Sequence, residues 1–149
     1  VPLFWIEEPF HETVADWPRL RDYLVANGRK ETLRADGEAK PDFPVLEKLQ
    51  KDHTLNVRLE DICGHGFTKW RRQMPRLTKE GIGASPHTWG TALKTVYTAH
   101  FVGAYGNAPT IEGVTTQGGD VDFGENRIID ARFQPSNQPG FGLSLPSRS

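Results

Sequence analysis

Five ionisable residues recur along the chain at a nearly constant interval: Glu7, Glu38, Asp61, His87 and Glu112, separated by 31, 23, 26 and 25 residues. Side chains of these types can exchange protons with a substrate or offer hard oxygen ligands to a cation. Each gap has the length of one strand–loop–helix unit, so an ionisable residue stands at the same point of every repeat. If the repeats closed into a barrel, those points would face one another across its top, where barrel enzymes carry their active sites. Taken singly, each residue has an ordinary structural alternative. Carboxylates at strand ends often cap the next helix or pair with an arginine, and a lone histidine can be a satisfied structural residue. Glu7 and Glu8 face opposite ways, as do Glu60 and Asp61, so one of each pair can point inward. Asp36 and Glu38 are two apart and should share a facing, so either could serve.

The elements that would position these residues can be read from the apolar pattern. Leu3 to Glu7 has the character of a buried strand, and Ala15 to Asn27 that of a helix. The helix carries Trp17, Leu20, Tyr23 and Leu24 on one face and stops at Gly28. Leu33 to Ala35 is a short strand, Phe43 to Leu49 a short helix with Val45, Leu46 and Leu49 inward, and Leu55 to Leu59 a strand. Thr68 to Glu80 is a helix that Pro75 should kink or split. Ile82 to Ser85 is a strand, Thr91 to Tyr105 a helix, and Thr110 with Ile111 a last short strand. Inward side chains of the sheet would include Phe4, Ile6, Val57 and Leu59.

From Gly113 onward the pattern changes to turns and small antiparallel pieces, with Gly118-Gly119, Pro135, Pro139-Gly140 and Gly142. The expected division is a partial (β/α) barrel of about five units over residues 1–113 and a covering segment over 114–149. Strands that alternate with helices imply a parallel sheet, in a barrel or a doubly wound fold. A doubly wound nucleotide binder should show a glycine-rich turn after its first strand. Glu7-Glu8-Pro9 stands there instead, Gly64-His65-Gly66 is too short for a phosphate loop, and no Walker-type run exists.

The bulk properties narrow the function. The 149 residues carry 36% hydrophobic and 25% charged side chains, enough for a real core. A net charge of -1 gives no basic nucleic-acid surface. The single cysteine, Cys63, excludes an internal disulfide and fits a reducing, cytoplasmic setting. No apolar run approaches the length of a membrane span. The chain opens on the strand-like run Val1 to Ile6, with no methionine and no basic region before it, so the natural protein is expected to begin upstream.

Together these residues resemble the mandelate racemase and muconate-lactonizing group of the enolase superfamily, in particular its sugar-acid dehydratases. Trp5-Ile6-Glu7-Glu8-Pro9-Phe10 resembles the fourth barrel strand and Ala35-Asp36-Gly37-Glu38 the fifth. Asp61 matches the aspartate of the sixth strand, and Gly66-Phe67-Thr68-Lys69-Trp70 the loop and helix start that follow. Ser85-Pro86-His87-Thr88-Trp89 resembles the seventh strand, Thr110-Ile111-Glu112-Gly113 the eighth, and Pro139-Gly140-Phe141-Gly142 the closing segment. The fold implied is α/β, the C-terminal part (about strands 4–8) of a (β/α)8 TIM-type barrel, which is about 250 residues when complete. The group's second-strand lysine pair, third-strand magnesium aspartate and N-terminal capping domain have no counterpart here.

The resemblance implies Mg2+-dependent removal of the proton α to a carboxylate, leading to dehydration, or racemisation or epimerisation, of a sugar acid. Glu7 and Glu38 are the implied metal ligands. His87 is the implied general acid or base, Asp61 the residue that fixes its tautomer, and Glu112 a donor to the substrate carboxylate when protonated. His65 is a candidate substrate contact, beside its reading as a solvated loop histidine. The implied partners are a small carboxylate substrate, the missing N-terminal half of the same protein, and further copies in a homo-oligomer, with no nucleic acid or membrane. The alternative is a non-catalytic truncated barrel fragment or interaction protein, which lacks the third metal ligand and the lysine base.

Overall fold

The computed structural model describes residues 2–113 and 121–144. The first part alternates strands and helices: β1 (Trp5–Glu7), α1 (Asp16–Ala26), β2 (Leu33–Asp36), α2 (Phe43–Lys51), β3 (Val57–Arg58), α3 (Phe67–Lys79), β4 (Gly83–Ala84) and α4 (Ala92–Gly103). The strands pair in the order β1-β2-β3-β4, all parallel. Sequential order with a helix after each strand is the arrangement of a barrel wall. The second part holds an antiparallel hairpin, β5 (Arg127–Ile129) with β6 (Arg132–Gln134), and a bridge between Asp122 and Ser144. Gly118-Gly119, expected in a turn, lies outside the described residues.

Local chemistry explains where the helices start and stop. Asp42 caps α2, its side chain accepting from the Val45 amide at 3.2 Å, and Thr91 caps α4 through the Leu93 amide. Past α1, Gly28 takes φ +69° and the Arg29 amide reaches back to the Leu24 carbonyl at 2.7 Å, a glycine stop of the usual kind. Pro75 lies inside α3 without splitting it. Trp70 and Met74 before it and Leu77 after it are all fully buried and hold both halves of the helix to the sheet.

Apolar packing occurs on both sides of the sheet. Toward the helices, Trp17, Leu46, Leu49 and Leu55 form one cluster. Ile62, Trp70, Met74, Leu77, Ile82 and Ala84 form another. Tyr23, expected inward, is 67% exposed, because the buried stripe of α1 follows Trp17 and Leu24, seven residues apart, and Tyr23 falls beside it. A third cluster joins Ala35, Val57 and Leu59 with Trp5 and Leu33. Here β1 contributes Trp5 and not the expected Ile6, and Phe4 is 58% exposed. Strand alternation requires this, since Trp5 shares a face with Glu7 and Ile6 does not.

Polar groups are buried as well. Arg58 and Glu60, each 2% exposed in the side chain, form an ion pair. Arg58 also donates to Gln50 of α2 at 3.1 Å, and Gln50 donates to Glu80.

The described residues contain four parallel strands, and Thr110 with Ile111 form no fifth. The segment does run beside β4: the Ala84 amide donates to the Asn107 carbonyl at 3.1 Å, and the Ser85 hydroxyl to the Thr110 carbonyl at 2.8 Å. Pro109 between them has no N–H to give, so a side-chain bond replaces the ladder. Gly83 accommodates the proline, whose Cδ would lie 3.1 Å from any added Cβ.

Candidate active site

The C-terminal ends of the strands carry the site. Glu7 ends β1, and its Oε2 accepts from the Trp5 indole at 2.8 Å on the same face. Glu8 turns away at φ +37°. Its Oε1 accepts from three successive amides of the next loop, those of Gly37 (3.2 Å), Glu38 (2.6 Å) and Ala39 (2.9 Å). The two adjacent carboxylates thus have different partners: Glu7 faces inward and Glu8 holds the loop that presents Glu38.

Gly37 separates Asp36 from Glu38. At φ +133° it breaks the strand alternation, so the two acids do not share a facing as expected. A Cβ there would lie 3.3 Å from the Leu59 and Glu60 amides. Asp36 is 2% exposed, with Oδ2 lacking a partner. Burial, with the nearby charges of Glu12 and Glu8, pushes its carboxyl up to about 7. Glu38 instead reaches the rim. Gly37→Ala should combine a strained φ with a tight contact against two backbone amides and destabilise the protein by about 1–3 kcal/mol; thermal melting of the full-length variant checks this.

Asp61 follows β3 and is fixed from both sides. Oδ1 accepts from the Cys63 (2.9 Å) and Gly64 (2.6 Å) amides, while Oδ2 faces Lys94 Nζ at 2.5 Å and His87 Nδ1 at 3.4 Å. Burial works against its charge. The hydrogen bonds from Lys94, Gly64 and Cys63, with the charge of Lys94, outweigh burial and hold the carboxyl below its ordinary range. Its neighbour Glu60 takes the other facing and pairs with Arg58.

His87 is 9% exposed and occupies the centre. Its Nε2 lies 3.1 Å from Glu38 Oε1 and 3.7 Å from Glu112 Oε2, on the opposite side of the ring from Asp61. Glu112 is anchored by the Thr88 amide, which donates to its Oε2 at 2.7 Å, and by the Thr88 hydroxyl, which donates to its carbonyl at 2.9 Å. Burial raises the carboxyl of Glu38; His87 opposes the rise, and the charges of Glu8, Glu112 and Glu7 add to it. His65 packs edge-on against Trp70 at 5.6 Å. Burial lowers its basicity, and its Nε2 is buried without a partner. It lines a cavity of about 280 Å³ together with Glu38, Asp61 and Lys69.

Lys94 was not anticipated from the sequence. Its signal was a cation in the first turn of a helix, where the dipole disfavours one.

Among the described residues no three His, Cys, Asp or Glu side chains form a ready metal-ligand set. Glu7 and Glu38 nevertheless offer the hard oxygens that magnesium takes. The carboxylates crowded around Glu38 create a negative field that a dication would relieve. These two residues therefore fit as part of such a site.

The enolase C-terminal domain-like family model matches residues 1–149, and the chain belongs to that family. Its fold is that of the C-terminal part of the barrel enzymes it resembles. A mandelate racemase/muconate lactonizing protein from a Geobacillus species, solved with magnesium and tartrate, is 28% identical with a TM-score of 0.83. The alignment covers 99% of this chain and 38% of that one. A Geobacillus galacturonate dehydratase, solved with D-galacturonate and 5-keto-4-deoxy-D-galacturonate, is 28% identical with a TM-score of 0.82, over 97% of this chain and 38% of that one. The 3,6-anhydro-D-galactonate cycloisomerase of Zobellia galactanivorans, 21% identical with a TM-score of 0.72 over 95% of this chain and 40% of its own, shares the fold. No curated protein sequence matches. This chain thus spans well under half the length of the solved structures it resembles. Among the described residues no helix is long and apolar enough to cross a membrane.

Proposed function

We propose that the full-length protein is a magnesium-dependent acid-sugar dehydratase. The observation that carries this reading is the placement of His87, with Asp61 at one ring nitrogen and Glu38 and Glu112 at the other. The 28% identical galacturonate dehydratase supports the substrate class.

The proton α to a carboxylate is weakly acidic, because its removal places a second negative charge beside the first. Glu7 and Glu38 would hold a magnesium ion whose charge offsets the one that develops there. Asp61, kept ionised by Lys94 and two amides, accepts the Nδ1 proton of His87 and leaves Nε2 aimed at the substrate. A base on the opposite face, outside this chain, takes the α-proton. The freed electron pair forms the carbon–carbon double bond as the β-hydroxyl leaves, and protonated His87 gives its Nε2 proton to that hydroxyl, releasing water. The enol then becomes the keto acid, with its ketone α and its methylene β to the carboxylate. Glu112, when protonated, donates to the substrate carboxylate. In a racemase the same His87 would instead exchange the α-proton on its own face.

The alternative, a non-catalytic truncated barrel fragment or interaction protein, rests on the lack of a third metal ligand and of the lysine base among the residues of this chain. Assay of the full-length protein separates the two. Incubation with hexuronic, aldonic and aldaric acids and Mg2+ should yield an acid with a ketone α and a methylene β to the carboxylate, detected as its semicarbazone. EDTA should abolish turnover and added magnesium restore it. Absence of product from every acid sugar would remove the dehydratase reading.

A further inference from the structure

We infer that Lys94 is the positioning residue of the Asp61–His87 pair, so that the working unit is Lys94–Asp61–His87. The inference rests on the role proposed above for His87. Asp61 Oδ1 is held by two amides, but among the described residues Oδ2 has only Lys94 Nζ at 2.5 Å and His87 Nδ1 at 3.4 Å. A separation of 3.4 Å exceeds the usual length of about 2.9–3.0 Å for such a bond, so the histidine contact alone does not fix the carboxylate plane. Lys94 supplies the firm contact. Its second acceptor is the Trp89 carbonyl at 3.1 Å, which ties the loop carrying His87 to the loop carrying Asp61.

The placement of Lys94 is unfavourable for α4 itself. It is the third residue of the helix, where the exposed amides and the dipole repel a cation. Asp61 supplies the compensating charge from 33 positions away. The acceptors of Lys94 are Asp61 and the Trp89 carbonyl, and it makes no bond to Glu38 or Glu112. It therefore acts through Asp61 and not on the substrate.

The test compares full-length wild type, Lys94→Met and Lys94→Arg. Lys94→Met should lower kcat by about 10–100-fold, as loss of an orienting partner does, with KM changed by less than roughly twofold. Lys94→Arg, which keeps the charge and the donors, should recover most of kcat. Crystal structures of wild type and Lys94→Met should show the Asp61 carboxylate turned away from His87 Nδ1 in the variant. An unchanged kcat in Lys94→Met would overturn the inference, and so would an unmoved Asp61. A rise in KM that accounts for the whole loss would also overturn it, by making Lys94 a substrate contact. If the wild type turns over no acid sugar, the dehydratase reading fails, and the two crystal structures still decide the role of Lys94.

Discussion

Replacement of His87 by asparagine in the full-length protein is expected to lower turnover by about 10²–10⁴-fold, the usual worth of a positioned acid or base. Magnesium binding should be nearly unaffected, since His87 is not among the proposed ligands. Asparagine keeps a hydrogen-bonding side chain near Asp61 but cannot carry the proton that the leaving hydroxyl needs. Asp61→Asn should approach the same loss by another route, because a neutral amide at Nδ1 no longer stabilises the protonated imidazole that must give up its Nε2 proton. Steady-state kinetics with calorimetric magnesium titration measures both. Turnover near the wild-type rate in His87→Asn would leave the histidine a structural residue held between Asp61 and Glu38.

The largest stability effect should come from a different acid. Glu60 is 2% exposed and is the carboxylate partner of an Arg58 that is equally buried. Glu60→Ala leaves that guanidinium with the neutral Gln50 as its remaining side-chain partner. Removal of one member of a buried pair typically costs about 3–5 kcal/mol, and a loss of that size is expected here. Replacement of both members, Arg58→Met with Glu60→Met, should recover most of the loss, because no uncompensated charge remains. Chemical denaturation of the two full-length variants decides this. Equal destabilisation in the single and double variants would mean that packing volume, and not charge, is what Glu60 contributes.

The parallel sheet was legible in the sequence, because a strand, a loop and a helix occupy a similar length of chain in each repeat. The same periodicity brought Glu7, Glu38, Asp61, His87 and Glu112 to attention, since each ends one repeat. What the pattern could not convey was local backbone geometry. Asp36 and Glu38 obey the two-residue rule on paper, yet φ +133° at Gly37 sends them to different places. Thr110 and Ile111 have the side chains of a strand, but Pro109 removes the donor that a ladder requires. Phe4 and Ile6 have the apolar side chains of an inward face, but Glu7 occupies that face and Trp5 shares it. Lys94 was hidden for another reason: its partner Asp61 is remote in sequence and adjacent in space.

The three-amide clamp made by Glu8 bears on how this scaffold could be redesigned. Because one oxygen of Glu8 gathers the amides of Gly37, Glu38 and Ala39, the turns after the first two strands form a single module with a shared fastener. Grafting either turn alone from a relative would leave a donor trio without its acceptor, or a carboxylate without its donors. Libraries that recombine these turns should therefore exchange both together. Saturation at position 8 should yield few survivors, although its side chain is not among the groups proposed to touch substrate.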